Sequence, residues 1–229
     1  MTRNACWYLV ERGDARTPHD VFSGLQQQWR DRLGEDHEHA LMAAHCLAWT
    51  LMAMGRYTES RPLNQDTLDR RRQVLGEDHL DTLRSAHHLA IDVRMLGEVQ
   101  AARDLGQDTL DRCRQVLGDD HFFTLRSANN LAIDLRVLGE VQAARDLDQD
   151  TLDRRRRVLG EDHPDTLASA NNLAADLRAL REMQAARDLD QDTLDRRRRV
   201  LGEDHPDTLN SAHNLSIDLH ALGKEADGL

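Results

Sequence analysis

Histidine and aspartate are the residues of this chain with the widest chemical reach, because both bind metal ions and transfer protons. Five histidines stand one apiece in a repeated Leu-Gly-(Glu/Asp)-Asp-His motif, 42 residues apart. They are His37, His79, His121, His163 and His205. Ligands of one zinc ion lie about 2 Å from it, whereas equivalent residues of consecutive repeats lie about one repeat apart. The motif therefore predicts that Asp162 or His163, and its equivalents, cap the start of a helix.

The remaining candidates for chemistry do not form a site. His37, His39, His45 and Cys46 cluster in sequence without an HExxH or CxxC pattern. The sequence has no glycine-rich phosphate loop and no nucleophile elbow. Aspartates and histidines recur by duplication, whereas acid–base catalysis needs them to converge on one cleft. We therefore expect no enzymatic activity, no metal and no cofactor.

Two adjacent columns of residues at the same spacing offer binding groups instead. They read Arg3, His45, His87, Asn129, Asn171 and His213, and Asn4, Cys46, His88, Asn130, Asn172 and Asn214. An amide side chain both donates and accepts hydrogen bonds, so an asparagine ladder can hold an extended peptide backbone. Flanking arginines could bind carboxylates or phosphates of an acidic ligand; they are Arg84, Arg94, Arg126, Arg136 and Arg178. The alternative is that these side chains only bond adjacent helices, with arginines paired to Asp92, Asp134 or Asp176.

The elements that position these columns follow from the 42-residue period. Residues 142–167 recur letter for letter at 184–209. Apolar residues from Leu125 to Leu138 fall at helical spacing and predict a helix A, which ends at Gly139. That column is glycine in five of six repeats, and Arg181 is the exception. Helix B is predicted from Val141 to about Val158, before Gly160. Such units bury their apolar faces only by stacking, which predicts an all-α solenoid.

The charges of helix B are consistent with a solvated helix. Aspartates fill its first part and arginines its last turn, as the helix dipole favours. Asp150–Arg154 and Asp153–Arg157 are expected to pair at a spacing of four. The formal net charge of −11 repels phosphate, so the arginine runs do not indicate a nucleic-acid partner.

The composition indicates where in the cell the protein is expected. Three cysteines without a CxxC pair argue against a disulfide framework and for a reducing compartment, so we expect a cytoplasmic location. No apolar run approaches the roughly 20 residues that span a bilayer, and the N-terminus has no signal pattern, so no membrane partner is expected.

The segments LGEDHPDTLASANNLAADLRAL and QAARDLDQDTLDRRRRVLGEDHP resemble the tetratricopeptide repeat in its 42-residue, kinesin-light-chain-like bacterial form. The resemblance covers nearly the whole chain. It implies a right-handed superhelix of antiparallel helix pairs, and a non-catalytic scaffold that binds proteins or peptides in a concave groove lined by A helices. It also implies a role in bacterial signalling. The large aromatic usual in helix B is retained at Phe22 but replaced at Asn64, Gly106, Asp148 and Asp190.

The period divides the chain into one solenoid domain with partial units at both ends. The predicted units are residues 1–32, 33–74, 75–116, 117–158, 159–200 and 201–229. The last unit is expected to end helix A at Gly223 with no helix B. At the N-terminus, Trp7, Tyr8 and Trp49 suggest an aromatic edge. We expect either a chain taken from a longer protein or a weak homodimer through this edge. The alternative to ligand binding in the groove is therefore a self-associating scaffold that acts through its terminal edges or convex face.

Overall fold

The computed structural model describes residue 6, residues 8–10 and residues 12–227, with side chains as far as residue 223. The chain divides into two compact units, residues 1–116 and 117–229, which we name unit 1 and unit 2. Between residues 16 and 227, where every residue is described, the chain consists of helices joined by short turns and contains no strand. The predicted all-α array of helix pairs is confirmed.

Each unit alternates the two predicted kinds of helix. Unit 1 contains α1 (Arg16–Leu33), α2 (Glu38–Ala53), α3 (Tyr57–Leu75), α4 (Leu80–Met95) and α5 (Val99–Leu117). Unit 2 contains α6 (Phe122–Val137), α7 (Val141–Leu159), α8 (Pro164–Ala179), α9 (Met183–Leu201) and α10 (Pro206–Asp227). The even-numbered helices are of type A and the odd-numbered helices of type B. Within unit 2, each helix packs against the next one along the chain.

Histidine caps the A helices, as the repeated motif predicts. Before α8, Nδ1 of His163 accepts a hydrogen bond from the backbone N–H of Asp165 at 3.1 Å. The other four histidines of the motif make the same contact two residues ahead. Pro164 occupies the first turn, where its missing N–H costs nothing. Asp162 is not the cap, because its carboxylate is bonded to Arg196 and Arg199.

The turns depend on backbone conformations that favour glycine. Gly160, after α7, has φ 90° and ψ 164°, a region open almost only to glycine. Gly139, between α6 and α7, has φ 85°, and Arg181 takes the left-handed conformation at the equivalent position with φ 63°. The predicted helix end at Gly223 is wrong, because α10 continues through it to Asp227. In the described residues no further helix B packs back on α10, so nothing favours a turn there over another helical hydrogen bond.

Small aliphatic side chains fill the core in a repeating pattern. In unit 2 the cluster consists of Leu152, Ala170, Leu173, Leu177 and Ala186. In unit 1 the equivalent cluster, two repeats earlier, consists of Leu68, Ala86, Leu89, Val93 and Ala102. The N-terminal end differs, because its core adds the aromatic ring of Phe22 to Cys6 and Cys46. All three cysteines are buried, and none forms a disulfide.

The surface arginines of helix B bond across turns as well as along the helix. Arg154 pairs with Asp150 at 2.8 Å, as expected. The expected pair of Asp153 with Arg157 is wrong, because Arg157 reaches Asp120 at 2.7 Å in the turn before α6. Two carboxylates thus compete for the last turn of α7, and the one across the turn is closer.

Candidate functional site

In unit 1 the histidines of the candidate groove lie in the interior. His87 and His88 on α4 are both buried. The ring of His88 stacks on that of His45 from α2, with centroids 4.5 Å apart and an angle of 4° between the planes. Arg84 pairs with Asp81 at 2.9 Å, and Arg94 is half-buried. These columns therefore contribute to the packing of α2 against α4.

In unit 2 the first asparagine of the ladder is also structural. Asn129 on α6 donates from Nδ2 to Oδ1 of Asp148 on α7 at 2.6 Å. Its Oδ1 accepts from the hydroxyl of Ser169 on α8 at 2.9 Å. Its neighbour Asn130 is half-buried and donates to the carbonyl of Arg126 one turn earlier, at 3.3 Å. Asn129 therefore connects three helices of unit 2.

The later asparagines of the ladder make fewer hydrogen bonds within the fold. Asn171 on α8 has a buried Oδ1 that accepts no hydrogen bond from the described residues. Asn172 on α8 and Asn214 on α10 are half-buried, and no hydrogen bond joins either amide to the described part of the chain. His213, beside Asn214, is exposed. Unit 2 thus presents amides whose bonding capacity the fold itself leaves unused.

Arg136 and Arg178 bridge neighbouring A helices. Arg136 on α6 donates from Nη1 to Oδ1 of Asp176 on α8 at 2.7 Å and to the carbonyl of Asn172 at 3.3 Å. The contact with Asp176 is the structural role given above as the alternative to ligand binding. Arg178 on α8 repeats the pattern toward Asp218 on α10 at 3.2 Å. Their side chains are 22% and 17% exposed, so part of each guanidinium still faces solvent.

Sequence reasoning missed two buried acids on the B helices. Asp148 and Asp190 occupy the column in which Phe22 retains the aromatic, and both are completely buried. Burial and, to a smaller extent, the adjacent Asp176 raise the pKa of Asp148 to about 8, against the hydrogen bond from Asn129. Burial raises the pKa of Asp190 to about 6, against the hydrogen bond from Arg178. The signal was present in the sequence, since a position that holds phenylalanine in one repeat is expected to face the core in the others.

One arginine of each run is also buried. Arg155 on α7 is 4% exposed and donates from Nη1 to the carbonyl of Asp165 at 2.7 Å and to the hydroxyl of Ser169 at 3.0 Å. Arg71 and Arg197 make equivalent contacts in their own repeats. Burial lowers the pKa of Arg155. The interpretation of the arginine runs as a wholly solvated face is therefore wrong for this column.

The predicted aromatic edge is partly visible. Tyr8 is 52% exposed, with the guanidinium of Arg12 5.0 Å above its ring. Trp49 is half-buried and packs against the cluster that contains Phe22. Trp7 lies outside the described residues.

Metal sites and membrane-spanning helices are both absent from the described part of the chain. No group of three or more histidine, cysteine, aspartate or glutamate side chains is placed to hold a metal ion there. Within the same residues, no helix has both the length and the apolar character that a membrane crossing requires.

Comparisons with known proteins agree with the helix pairs described above. Tetratricopeptide repeat models match residues 39–115, 124–165 and 166–207. No curated protein matches the sequence significantly.

Among solved structures, a kinesin light chain-like protein of Podosopora anserina with nearly identical TPR-like repeats is 24% identical, with a TM-score of 0.72. The match covers 86% of this chain and 92% of that one. BtubC (BKLC) from P. vanneervenii is 19% identical, with a TM-score of 0.75, and the match covers 91% of this chain and 84% of that one. These likenesses show a shared fold. With its 42-residue helix pairs, histidine-capped A helices and glycine turns, the chain belongs to the tetratricopeptide repeat family.

Proposed function

We propose that this chain is a non-catalytic scaffold that holds a protein or peptide segment along the A helices, as part of a bacterial signalling or regulatory protein in the cytoplasm. Tetratricopeptide repeats generally mediate protein interactions. The observation that carries the proposal is the pair of amides at Asn172 and Asn214, which the described residues leave without hydrogen bonds. Amides that the fold does not use are available to a ligand backbone.

The binding surface proposed in unit 2 consists of two neighbouring rows. Asn130, Asn172 and Asn214 form the polar row, one residue per A helix. Ile133, Ala175 and Ile217 form an apolar row three residues further along the same helices. An extended segment that crosses the A helices would bond the amides through its backbone and cover the apolar row with its side chains. This arrangement selects for an extended backbone more strongly than for a particular sequence.

The arginines next to this surface support only a modest preference for acidic ligands. Arg136 and Arg178 each bond the buried aspartates through Nη1, so their other N–H groups are open to a ligand carboxylate. The aspartates already neutralise both guanidinium groups, however. The attraction of an acidic side chain to this face is therefore smaller than that to an unpaired arginine.

Capture of partners from an extract of the native cell tests this function. The change is Asn172→Ala together with Asn214→Ala, and the control is Gln142→Ala with Gln184→Ala, which removes two exposed amides from the B helices. Each hydrogen bond contributes about 0.5–1.5 kcal/mol, so two lost rungs weaken binding roughly 5- to 150-fold. The melting temperature is expected to stay the same. Undiminished capture by the ladder variant would contradict the proposal.

Self-association is the second candidate, and the exposed ring of Tyr8 favours it. If the N-terminal edge pairs two copies, sedimentation velocity will show a concentration-dependent dimer that Tyr8→Glu weakens. A monomer at all concentrations would leave ligand binding as the sole function proposed.

A further inference from the structure

Unit 2 contains two buried pairs of carboxyl groups, each built around one arginine. Asp148 of α7 meets Asp176 of α8, beside Arg136 of α6. One repeat later, Asp190 of α9 meets Asp218 of α10, beside Arg178 of α8. All four aspartates are buried. Each cluster thus combines two fully buried acids with one arginine that is only partly exposed.

The hydrogen bonds of the first cluster leave one oxygen of each carboxyl group without a donor in the described part of the chain. Oδ1 of Asp148 accepts from Asn129, and Oδ1 of Asp176 accepts from Arg136. Oδ2 of Asp148 and Oδ2 of Asp176 are buried and have no donor among the described residues, while the two carboxyl groups lie within hydrogen-bonding contact of each other. Two ionised carboxylates in such contact repel each other strongly, whereas one shared proton supplies the missing donor.

We propose that each of these carboxyl pairs holds one shared proton beside its arginine, and that unit 2 is therefore a proton-responsive element whose helix packing weakens when these protons are lost. With one proton each cluster is neutral, since one carboxylate balances one guanidinium. Without it each cluster carries one buried negative charge, which is costly in a medium of low dielectric constant. This proposal does not depend on what the scaffold binds.

Each pair also faces charged groups on the neighbouring helices and on its own B helix. Arg136 acts on Asp148 from α6 and Asp176 acts on it from α8, while Arg155 interacts with it along α7. Arg178 acts on Asp190 from α8 and Asp218 from α10, while Arg197 interacts with it along α9. The arginine hydrogen bond is direct for Asp190 but not for Asp148. Desolvation is the largest cause of both rises, and the direct arginine bond helps to keep the pKa of Asp190, about 6, below that of Asp148, about 8.

Unit 1 provides the natural comparison. At the position of Asp148, α3 has Asn64, which donates from Nδ2 to Oδ2 of Asp92 at 2.6 Å. At the position of Arg136, the equivalent A helix of unit 1, α2, has Met52. In unit 1 an amide thus provides the donor that a proton would provide in unit 2. Burial also raises the pKa of Asp92, but the hydrogen bonds from Ser60 and Asn64 oppose that rise, and no second carboxyl group of the described residues takes part.

Carboxyl carbon NMR of the full chain tests the proposal directly. We expect two aspartate resonances that titrate near pH 8 and near pH 6, above the ordinary aspartate range of about 4. Asp148→Asn removes the first resonance and Asp190→Asn the second. Asn64 shows that the fold accepts an amide at this position, so both variants are expected to fold. Asp146→Asn, which changes an exposed aspartate on the same helix as Asp148, leaves both titrations in place.

Proton release on unfolding gives a second measurement that needs no resonance assignment. At about pH 7, urea unfolding of the wild-type chain should release about one proton more than unfolding of the doubly substituted Asp148→Asn, Asp190→Asn chain. If no aspartate titrates above about pH 5 and both chains release the same number of protons, the carboxyl pairs are not protonated and the proposal is overturned.

Discussion

The stability of unit 2 should fall as the pH rises through neutrality, and Asp148→Asn should remove most of that fall. The folded state holds the pKa of Asp148 at about 8, compared with 3.8 for an unperturbed aspartate. Because the folded chain keeps a proton that the unfolded chain releases, stability is lost between about pH 4 and pH 8 and is level above that range. Each pH unit in this window costs about 1.4 kcal/mol, or about 5–6 kcal/mol in all.

The window from about pH 6 to pH 8 isolates this residue. Asp190 has largely lost its proton above its pKa of about 6. The exposed carboxylates of Asp120 and Asp162 have lowered pKa values because of hydrogen bonds from arginines. Their contribution to the stability of the folded chain is complete above the ordinary aspartate pKa and is lost only in more acidic solution. In this window the wild-type chain should therefore lose about 2–3 kcal/mol and the Asp148→Asn chain almost none.

Urea denaturation followed by far-UV circular dichroism measures this difference. Trp29 and Trp49 lie in unit 1, so their fluorescence follows that unit separately and provides an internal reference. The transition of unit 2 should move to lower urea concentration as the pH rises, and it should move further than the fluorescence transition of unit 1. If Asp148→Asn changes stability by the same amount at both pH values, Asp148 is not protonated in the folded state and the reasoning fails.

Three further predictions concern local contacts. Arg181→Gly should stabilise the chain by up to about 1 kcal/mol, because glycine adopts the left-handed backbone conformation without strain. The reciprocal change Gly139→Arg should destabilise the chain. Equal melting temperatures of the variants and the wild type would show that this turn is not strained. His163→Ala should cost about 1 kcal/mol through the lost cap of α8 and speed amide exchange in its first turn, and unchanged exchange would refute a capping role. Arg155→Ala should cost about 3 kcal/mol or more by leaving the hydroxyl of Ser169 and a buried backbone carbonyl without their donor, and a loss below 1 kcal/mol in urea denaturation would refute it.

The helices were predictable from the sequence because their signals are local and repeated. The 42-residue period, the glycine column and the histidine motif each set one boundary, and repetition made each signal visible several times. Arg181 was identifiable for the same reason, as the exception in its column. Gly223 shows the limit of that reasoning. A glycine permits a turn but does not enforce one, and the turn forms only where a following helix packs back.

The candidate site was predictable only in part, because the ladder positions share a residue type but not an environment. The amide of Asn129 bonds to Asp148 and Ser169, whereas the side-chain amide of Asn172, two helices along, bonds to none of the described residues. Which rungs are occupied depends on residues of other helices, which a column read along the sequence does not show. Asp148 was missed for a related reason. Its neighbours in sequence made it look like part of an acidic, solvated helix start, and only the Phe22 column indicated a core position.

The near identity of α7 and α9, which differ only at their first residue, Val141 or Met183, has a consequence for assembly of the fold. The side chains of these two helices do not determine which of the two positions in the fold each helix occupies. The order of the helices must therefore be imposed by connectivity, through turns of three residues (138–140) and four residues (160–163). Turns this short prevent a helix from reaching the position of the other within its own molecule. Lengthening one of these turns would remove that restriction, and the expected product is a domain-swapped dimer in which identical helices have exchanged places between chains.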